Sequence, residues 1–289
     1  MIIDLHTHGY YSPDSELSIP DLLQRYSKGD IVALTDHETI AGWDLFKEEA
    51  LRRGIRPILG AEWFINGCHI LSYFVSDIPN NFINFMAERR SKESSAMHLL
   101  YDRAKARFPA LPSYENILAS KHHPENILGM AALAQQISRI SGMGFKEAVE
   151  LLRGMKKELR FPDERPSPFY ASELIKKINE WNGISVLAHP FKDSQNKLVH
   201  KTKKDVEEKV HELADQGING IELFSEGCTN EECSEDELNF LLALAEKQKL
   251  KVSMGSDYHV NHNKEKGVDI KALETLGESV KGRVMKWLN

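Results

Sequence analysis

The chain has 289 residues, 41% of them hydrophobic, which is enough for a single α/β barrel with a buried core. Its 43 acidic residues outnumber the 37 basic ones, and no basic stripe predicts stable binding to nucleic acid. No apolar run approaches the roughly 20 residues of a membrane span, and no secretory signal precedes the first histidines. We therefore expect a cytoplasmic protein, whose three cysteines are incidental thiols because they lack the spacing of a metal site.

Seven short runs rich in Ile, Val and Leu show little polar alternation, which is typical of strands buried on both faces of a parallel sheet. These runs cover residues 2–5, 31–34, 57–59, 69–74, 184–188, 220–224 and 251–254. Helical patterns lie between them, beginning at residues 18–20 and covering 41–53, 172–181, 204–216 and 234–247. Strands that alternate with helices in this way predict an α/β architecture.

Residues 81–169 interrupt this alternation, because they contain helical patterns and no convincing strand. The helical patterns cover residues 82–108, 126–141 and 145–158. We interpret this stretch as a helical insertion in a barrel formed by residues 1–80 and 170–289. The insertion is expected to cap the site or to form an interface, and the sequence leaves both open, as it leaves the oligomeric state.

Histidines and carboxylates recur where predicted strands end. The segments are Asp4-Leu5-His6-Thr7-His8, Thr35-Asp36-His37, Gly60-Ala61-Glu62 followed by His69, Ala188-His189-Pro190, and Gly255-Ser256-Asp257-Tyr258-His259, with Asp14 in a turn after the first. The carboxyl ends of parallel strands form one face, where active sites lie. Six of the twelve histidines occupy these positions. Because converging ionisable groups are costly without a neutralising cation, the pattern predicts a metal site, and imidazole with carboxylate suits Zn, Mn or Fe.

These five segments together resemble the PHP family, the polymerase and histidinol phosphatase superfamily. The resemblance extends from residue 4 to residue 259, and the helical insertion resembles that of stand-alone members that act on nucleotide-type phosphomonoesters. It implies an α/β fold, a distorted (β/α)7 barrel with a helical insertion, and a cluster of three divalent metal ions (Mn, Zn or Fe). The implied ligands are His6, His8, Glu62 and Asp257 for the first ion, Glu62, His69 and His189 for the second, and Asp14, His37 and His259 for the third.

The resemblance implies a phosphoesterase that hydrolyses a small, nucleotide-like phosphomonoester by attack of a metal-bound hydroxide on phosphorus. His37, Asp257 and His259 are the candidate catalytic residues. Cationic contacts to the substrate phosphate are expected from Lys192 and from two arginines of the insertion, Arg90 and Arg103.

Three alternatives stay open at this point. The first is a histidinol-phosphate phosphatase. The second is a metal-dependent amide or carboxyl-ester hydrolase, which needs no phosphate clamp. The segment at residues 129–132 favours this reading somewhat, because it lacks the Arg and His that nucleotide-cleaving members carry there. The third is a metal-binding module without turnover, although a complete ligand set argues against it.

Overall fold

The protein structure is a computed structural model that describes residues 1–12, 14–65, 68–119, 128–159, 170–191, 202–223, 235–261, 264–267, 270–275 and 277–289. The chain divides into two compact units. One comprises Met1–Phe82 and Phe169–Asn289, and the other comprises Ile83–Pro168. None of the described helices is both long and apolar enough to cross a membrane.

The first unit contains a seven-stranded sheet whose strands neighbour one another in chain order. The strands are β1 (Ile3–Asp4), β2 (Ile31–Leu34), β3 (Arg56–Ile65), β4 (Cys68–Phe74), β5 (Ile184–Leu187), β6 (Gly220–Glu222) and β7 (Lys251–Ser253). Backbone hydrogen bonds also join the two ends of the sheet. The Leu5 N–H donates to the Met254 carbonyl (2.9 Å), and the His8 N–H donates to the Tyr258 carbonyl (3.0 Å). The predicted fold, a distorted barrel of seven strands with a helical insertion, is confirmed.

One strand differs from the expected all-parallel sheet, because β4 is antiparallel to both β3 and β5. The reason is the short connection between Ile65 and Cys68, which forces the chain to reverse into a hairpin. This reversal keeps His69 at the metal-binding end of the barrel, because the start of an antiparallel strand lies beside the carboxyl ends of its parallel neighbours. Strand β3 is also longer than predicted, so Glu62 lies within it rather than after it.

The described helices of the first unit alternate with its strands along the chain, except near the two ends of the helical insertion and at the end of the chain. They are α1 (Ile19–Leu23), α2 (Trp43–Arg52), α7 (Ala171–Glu180), α8 (Lys203–Asp215), α9 (Glu235–Lys247), α10 (Ile270–Thr275) and α11 (Glu278–Leu288). Ser18 caps α1 by accepting a hydrogen bond from the Asp21 N–H, and Pro20 lies in the first turn. The sequence patterns did not predict α10, α11 or the hairpin of β8 (His259–Asn261) and β9 (Lys264–Lys266).

The second unit is helical and has its own core. Its described helices are most of α3 (Asn80–Arg107), then α4 (Tyr114–Ala119), α5 (Met130–Ser141) and α6 (Phe145–Glu158). Apolar side chains of these helices, including Leu100, Leu133, Ile137 and Leu152, are fully buried against one another. The helix at 145–158 coincides with the prediction, whereas α4 was not foreseen.

Candidate metal centre

All nine predicted metal ligands lie within the described residues, and they converge at one end of the barrel. They come from successive elements: His6 and His8 after β1, Asp14 before α1, His37 after β2, Glu62 in β3, His69 in β4, His189 after β5, and Asp257 and His259 after β7. Six imidazoles and three carboxylates are therefore gathered where the strands end.

Glu62 lies at the centre of this cluster. Its two oxygens face five imidazoles: His6 Nε2 (3.0 Å), His8 Nε2 (3.1 Å), His37 Nδ1 (3.4 Å), His189 Nε2 (3.0 Å) and, at shorter range, His69 Nδ1. Only 1% of the Glu62 side chain is exposed. A single buried carboxylate thus contacts most of the histidines at once.

The other two carboxylates also lie close to histidines of the cluster. Asp257 Oδ1 lies 3.4 Å from His6 Nε2, 3.2 Å from His8 Nε2 and 3.8 Å from His259 Nδ1. Asp14 Oδ2 lies 3.1 Å from His37 Nε2. His259 therefore joins the cluster through Asp257, as His189 joins it through Glu62.

Three overlapping groups of these residues could each hold a metal ion. They are His6, His8, Glu62 and Asp257; His8, Asp14 and His37; and His37, Glu62 and His69, with the ligand atoms of each group within 4.8 Å of one another. The donor atoms support this interpretation, because imidazole nitrogen and carboxylate oxygen are ligands of Zn, Mn and Fe, and a buried cluster of ionisable groups is costly unless a cation neutralises it. The donor set thus fits divalent ions.

The charges of the cluster are tightly linked. Burial alone raises the pKa of Glu62, but His69, His6 and His37 outweigh it and hold that pKa well below its usual value. Burial lowers the pKa of His8, yet the Asp257 and Glu62 carboxylates raise it to about 10. Without a metal ion, a proton on His8 therefore offsets part of the negative charge of these carboxylates. Because metal ligation needs a neutral imidazole, metal binding must release this proton.

Two buried acidic residues outside the predicted ligand set contact the cluster or the segments that carry it. The Glu222 carboxylate lies 3.1 Å from His6 Nδ1 and accepts a hydrogen bond from the His189 N–H (2.8 Å). Asp4 accepts hydrogen bonds from the Tyr26 hydroxyl (2.7 Å) and the Ser256 N–H (2.8 Å). Both carboxylates are fully buried. The available signal was a charged residue inside an otherwise apolar strand, which is rarely found without a partner.

The backbone at the site is unusual in two respects. Glu38, His189 and Asp257 have positive φ angles of 51°, 26° and 51°, a region that non-glycine residues rarely occupy and that clusters at functional sites. Gly255 approaches His6 so closely that an added Cβ would lie 2.2 Å from the His6 Cβ. The positive φ angles set the directions in which the side chains of His189, after β5, and Asp257, after β7, leave the backbone.

The three predicted substrate contacts lie outside the part of the barrel that the structure describes. Lys192 lies outside the described residues. Arg90 and Arg103 belong to α3 in the helical unit, where Arg103 forms an ion pair with Glu158. These three cations therefore stay predictions.

A cluster of buried imidazoles and carboxylates at the mouth of an α/β barrel defines a metal-dependent hydrolase. The chain belongs to the PHP family, because its residues 4–215 match the PHP domain. The resemblance inferred from the motifs is thereby confirmed.

Individual relatives share this family and fold. A 5'-3' exoribonuclease of Haemophilus influenzae is 28% identical over an alignment of 271 residues, and the match covers 89% of this chain and 89% of the relative. A metal-dependent phosphoesterase of Bifidobacterium adolescentis has a similar structure, with a TM-score of 0.63, 21% identity and 95% coverage of both chains. An amidohydrolase of Chromobacterium violaceum has a TM-score of 0.60 at 19% identity, covering 95% of this chain and 96% of its own. The two structures establish the fold.

Proposed function

We propose that the protein is a metal-dependent phosphoesterase that hydrolyses a small, nucleotide-type phosphomonoester. The observation that carries this proposal is the overlap of the ligand groups around Glu62, whose carboxylate belongs to two of the three groups. The two oxygens of one carboxylate can bind two ions, so such a ligand would hold ions next to one another. Neighbouring ions suit phosphoryl displacement, because together they stabilise both the attacking and the leaving oxygen.

The proposed cofactors are three divalent ions of Mn, Zn or Fe. His6, His8, Glu62 and Asp257 would hold the first, Glu62, His69 and His189 the second, and Asp14, His37 and His259 the third. When bound, such ions lower the pKa of a coordinated water from about 15.7 towards about 7, which supplies a nucleophile at neutral pH.

The more exposed edge of the cluster is where we place the substrate. The exposed fraction of the side chain is 38% for Asp14, 20% for His37 and 13% for Asp257. The other ligand side chains are at most 7% exposed. Asp14, His37 and Asp257 are therefore the ligands nearest to solvent, and of these we propose that His37 and Asp257 act on the phosphoryl group, with His259 beside Asp257. Lys192, Arg90 and Arg103 stay our candidates for cationic contacts to phosphate.

The relative from H. influenzae supports both the phosphoester and the nucleotide character of the substrate, since its name describes cleavage of RNA from the 5′ end. It also favours a second candidate function, the stepwise release of nucleotides from the 5′ end of RNA. The formal net charge of -6 favours the small ester over a polyanion.

The test is phosphate release by protein reconstituted with Mn²⁺. The panel contains nucleoside monophosphates, a nucleoside 3′,5′-bisphosphate, histidinol phosphate and a 5′-phosphorylated RNA oligonucleotide. His37→Ala is assayed alongside, with His211→Ala as the matched control, because His211 lies on α8 with 43% of its side chain exposed.

Release by the intact protein and by His211→Ala, but not by His37→Ala, is the expected result. Mononucleotides released from the oligonucleotide alone would favour the exoribonuclease. Turnover of histidinol phosphate alone would point to that phosphatase. Metal-loaded protein that releases nothing from the panel but cleaves a carboxyl ester or amide would overturn the proposal.

A further inference from the structure

Phe64 is a large apolar residue exposed beside the metal centre. It lies in β3 between two buried residues, Trp63 and Ile65, and 52% of its surface is exposed. Single exposed apolar residues are common on protein surfaces, so exposure alone carries no argument. The position of the ring relative to the ligands is what distinguishes it.

The strand geometry directs Phe64 towards the cluster. Side chains two residues apart on a strand point to the same face, so Phe64 shares the face of Glu62. Phe64 is also paired directly with His69 across the β3–β4 hairpin. The two rings meet nearly at right angles (86°), with their centroids 5.4 Å apart. Since the His69 ring lies 5.6 Å from that of His37, Phe64 is separated from the more exposed ligands by a single imidazole.

We infer that Phe64 is a specificity-determining residue, which stacks on the planar base of a nucleotide whose phosphate ester lies in the metal centre. The inference rests on the proposed function and deepens it. Bases stack favourably on aromatic side chains, largely independently of base identity. The ions held by the metal centre would bind the phosphate, and the adjacent aromatic ring of Phe64 would bind the base.

The experiment compares two substrates that differ only in the base, adenosine 5′-monophosphate and ribose 5-phosphate. Mn²⁺-loaded protein is assayed as the intact chain and as Phe64→Ala, Phe64→Tyr and Leu51→Ala. Leu51 is the control, because it is an apolar residue on α2 with a comparable exposed fraction of 57%. Metal content is measured for every variant, and the Kd of each compound is determined by calorimetry.

Phe64→Ala is expected to lower kcat/KM for the nucleotide about 5- to 150-fold, mainly through KM, because stacking of one base contributes a comparable factor to affinity. Turnover of ribose 5-phosphate and the metal content should stay within about twofold. Phe64→Tyr should restore the preference for the nucleotide, since it keeps an aromatic face. Leu51→Ala should behave as the intact chain.

Equal losses for both compounds in Phe64→Ala would overturn the inference, and so would loss of metal, because either result would make Phe64 a structural support of His69. If the intact protein hydrolyses neither compound, these two are not its substrates, and the wider substrate panel decides whether the phosphomonoesterase proposal fails. The ratio of the two Kd values then still decides whether Phe64 recognises a base.

Discussion

Replacing Glu222 by Gln should weaken metal binding, although Glu222 is not a proposed ligand. The Glu222 carboxylate is fully buried, lies 3.1 Å from His6 Nδ1 and accepts a 2.8 Å hydrogen bond from the His189 N–H. An ionised carboxylate can only accept hydrogen bonds, so it places the proton of the neutral His6 imidazole on Nδ1. The Nε2 lone pair of His6 then faces the cluster, 3.0 Å from Glu62, and is available to a metal ion.

A Gln side chain has an oxygen that accepts hydrogen bonds and an NH₂ group that donates them, so it can reverse the preference for a proton on His6 Nδ1. If its oxygen keeps the hydrogen bond from the His189 N–H, its NH₂ group faces His6 Nδ1 and favours the tautomer that carries the proton on Nε2. That tautomer cannot bind a metal through Nε2. Partners of this kind contribute about 10- to 100-fold to metal affinity, which corresponds to about 1.4–2.7 kcal/mol.

The assay is a calorimetric titration with Mn²⁺, combined with elemental analysis after dialysis. Glu180→Gln is the matched control, because Glu180 is an acidic residue on α7 with 57% of its side chain exposed. Circular dichroism verifies that each variant is folded. An unchanged Mn²⁺ affinity in folded Glu222→Gln would refute the reasoning about the tautomer, whereas a loss in Glu180→Gln as well would make the effect nonspecific.

Three further outcomes follow from packing and linkage. Gly255→Ala should lose bound metal and lower the free energy of unfolding by about 1–3 kcal/mol, because the new Cβ would overlap the Cβ of His6. Gly282→Ala, at an exposed position in α11 with no atom within 4 Å, should raise the free energy of unfolding by about 0.5–1 kcal/mol. Thermal unfolding measures both, and equal behaviour of the two variants would contradict this account. Leu152→Ala should lower the free energy of unfolding of the helical unit by about 2–5 kcal/mol, because it leaves a cavity in the core. Leu99→Ala, at a position that is 47% exposed, should change this free energy by no more than about 0.5 kcal/mol. Denaturant unfolding measures both, and a small loss in both variants would mean that the core relaxes around the cavity. Chelation of bound metal should lower the melting temperature, because a ligand at 100 times its Kd stabilises the folded state by about 2.7 kcal/mol; identical melting curves with and without Mn²⁺ would argue against binding.

The candidate ligands could be chosen from the sequence because metal chemistry restricts them to a few residue types. His6 and His8, or Asp257 and His259, stand two residues apart in extended segments, and each pair follows an apolar strand. The residue types, the spacing and the strand ends all indicated the same edge of the barrel. The structure brings these residues together there. Their assignment to individual ions stays a proposal.

The parts that sequence reasoning missed depend on the backbone and on burial. The reversed direction of β4 follows from a hairpin, which apolar runs alone do not reveal. The positive φ of His189 and of Asp257 has no signature in residue type, since neither is glycine. Glu222 was overlooked because the sequence does not show whether a single acidic residue in a short strand is buried or faces solvent. Its burial and its contact with His6 became visible only in the structure.

Substrate choice is the least readable property for a related physical reason. A metal ligand has few substitutes, whereas a substrate contact on an exposed rim can be supplied by a cation, a backbone amide or an aromatic face. Phe64 illustrates this, because nothing in its sequence context separates a stacking platform from an ordinary exposed side chain. The two sets of variants test the resulting division of roles. Glu222→Gln should lower metal affinity and therefore lower activity on every substrate alike. Phe64→Ala should change the preference between substrates while metal affinity stays constant.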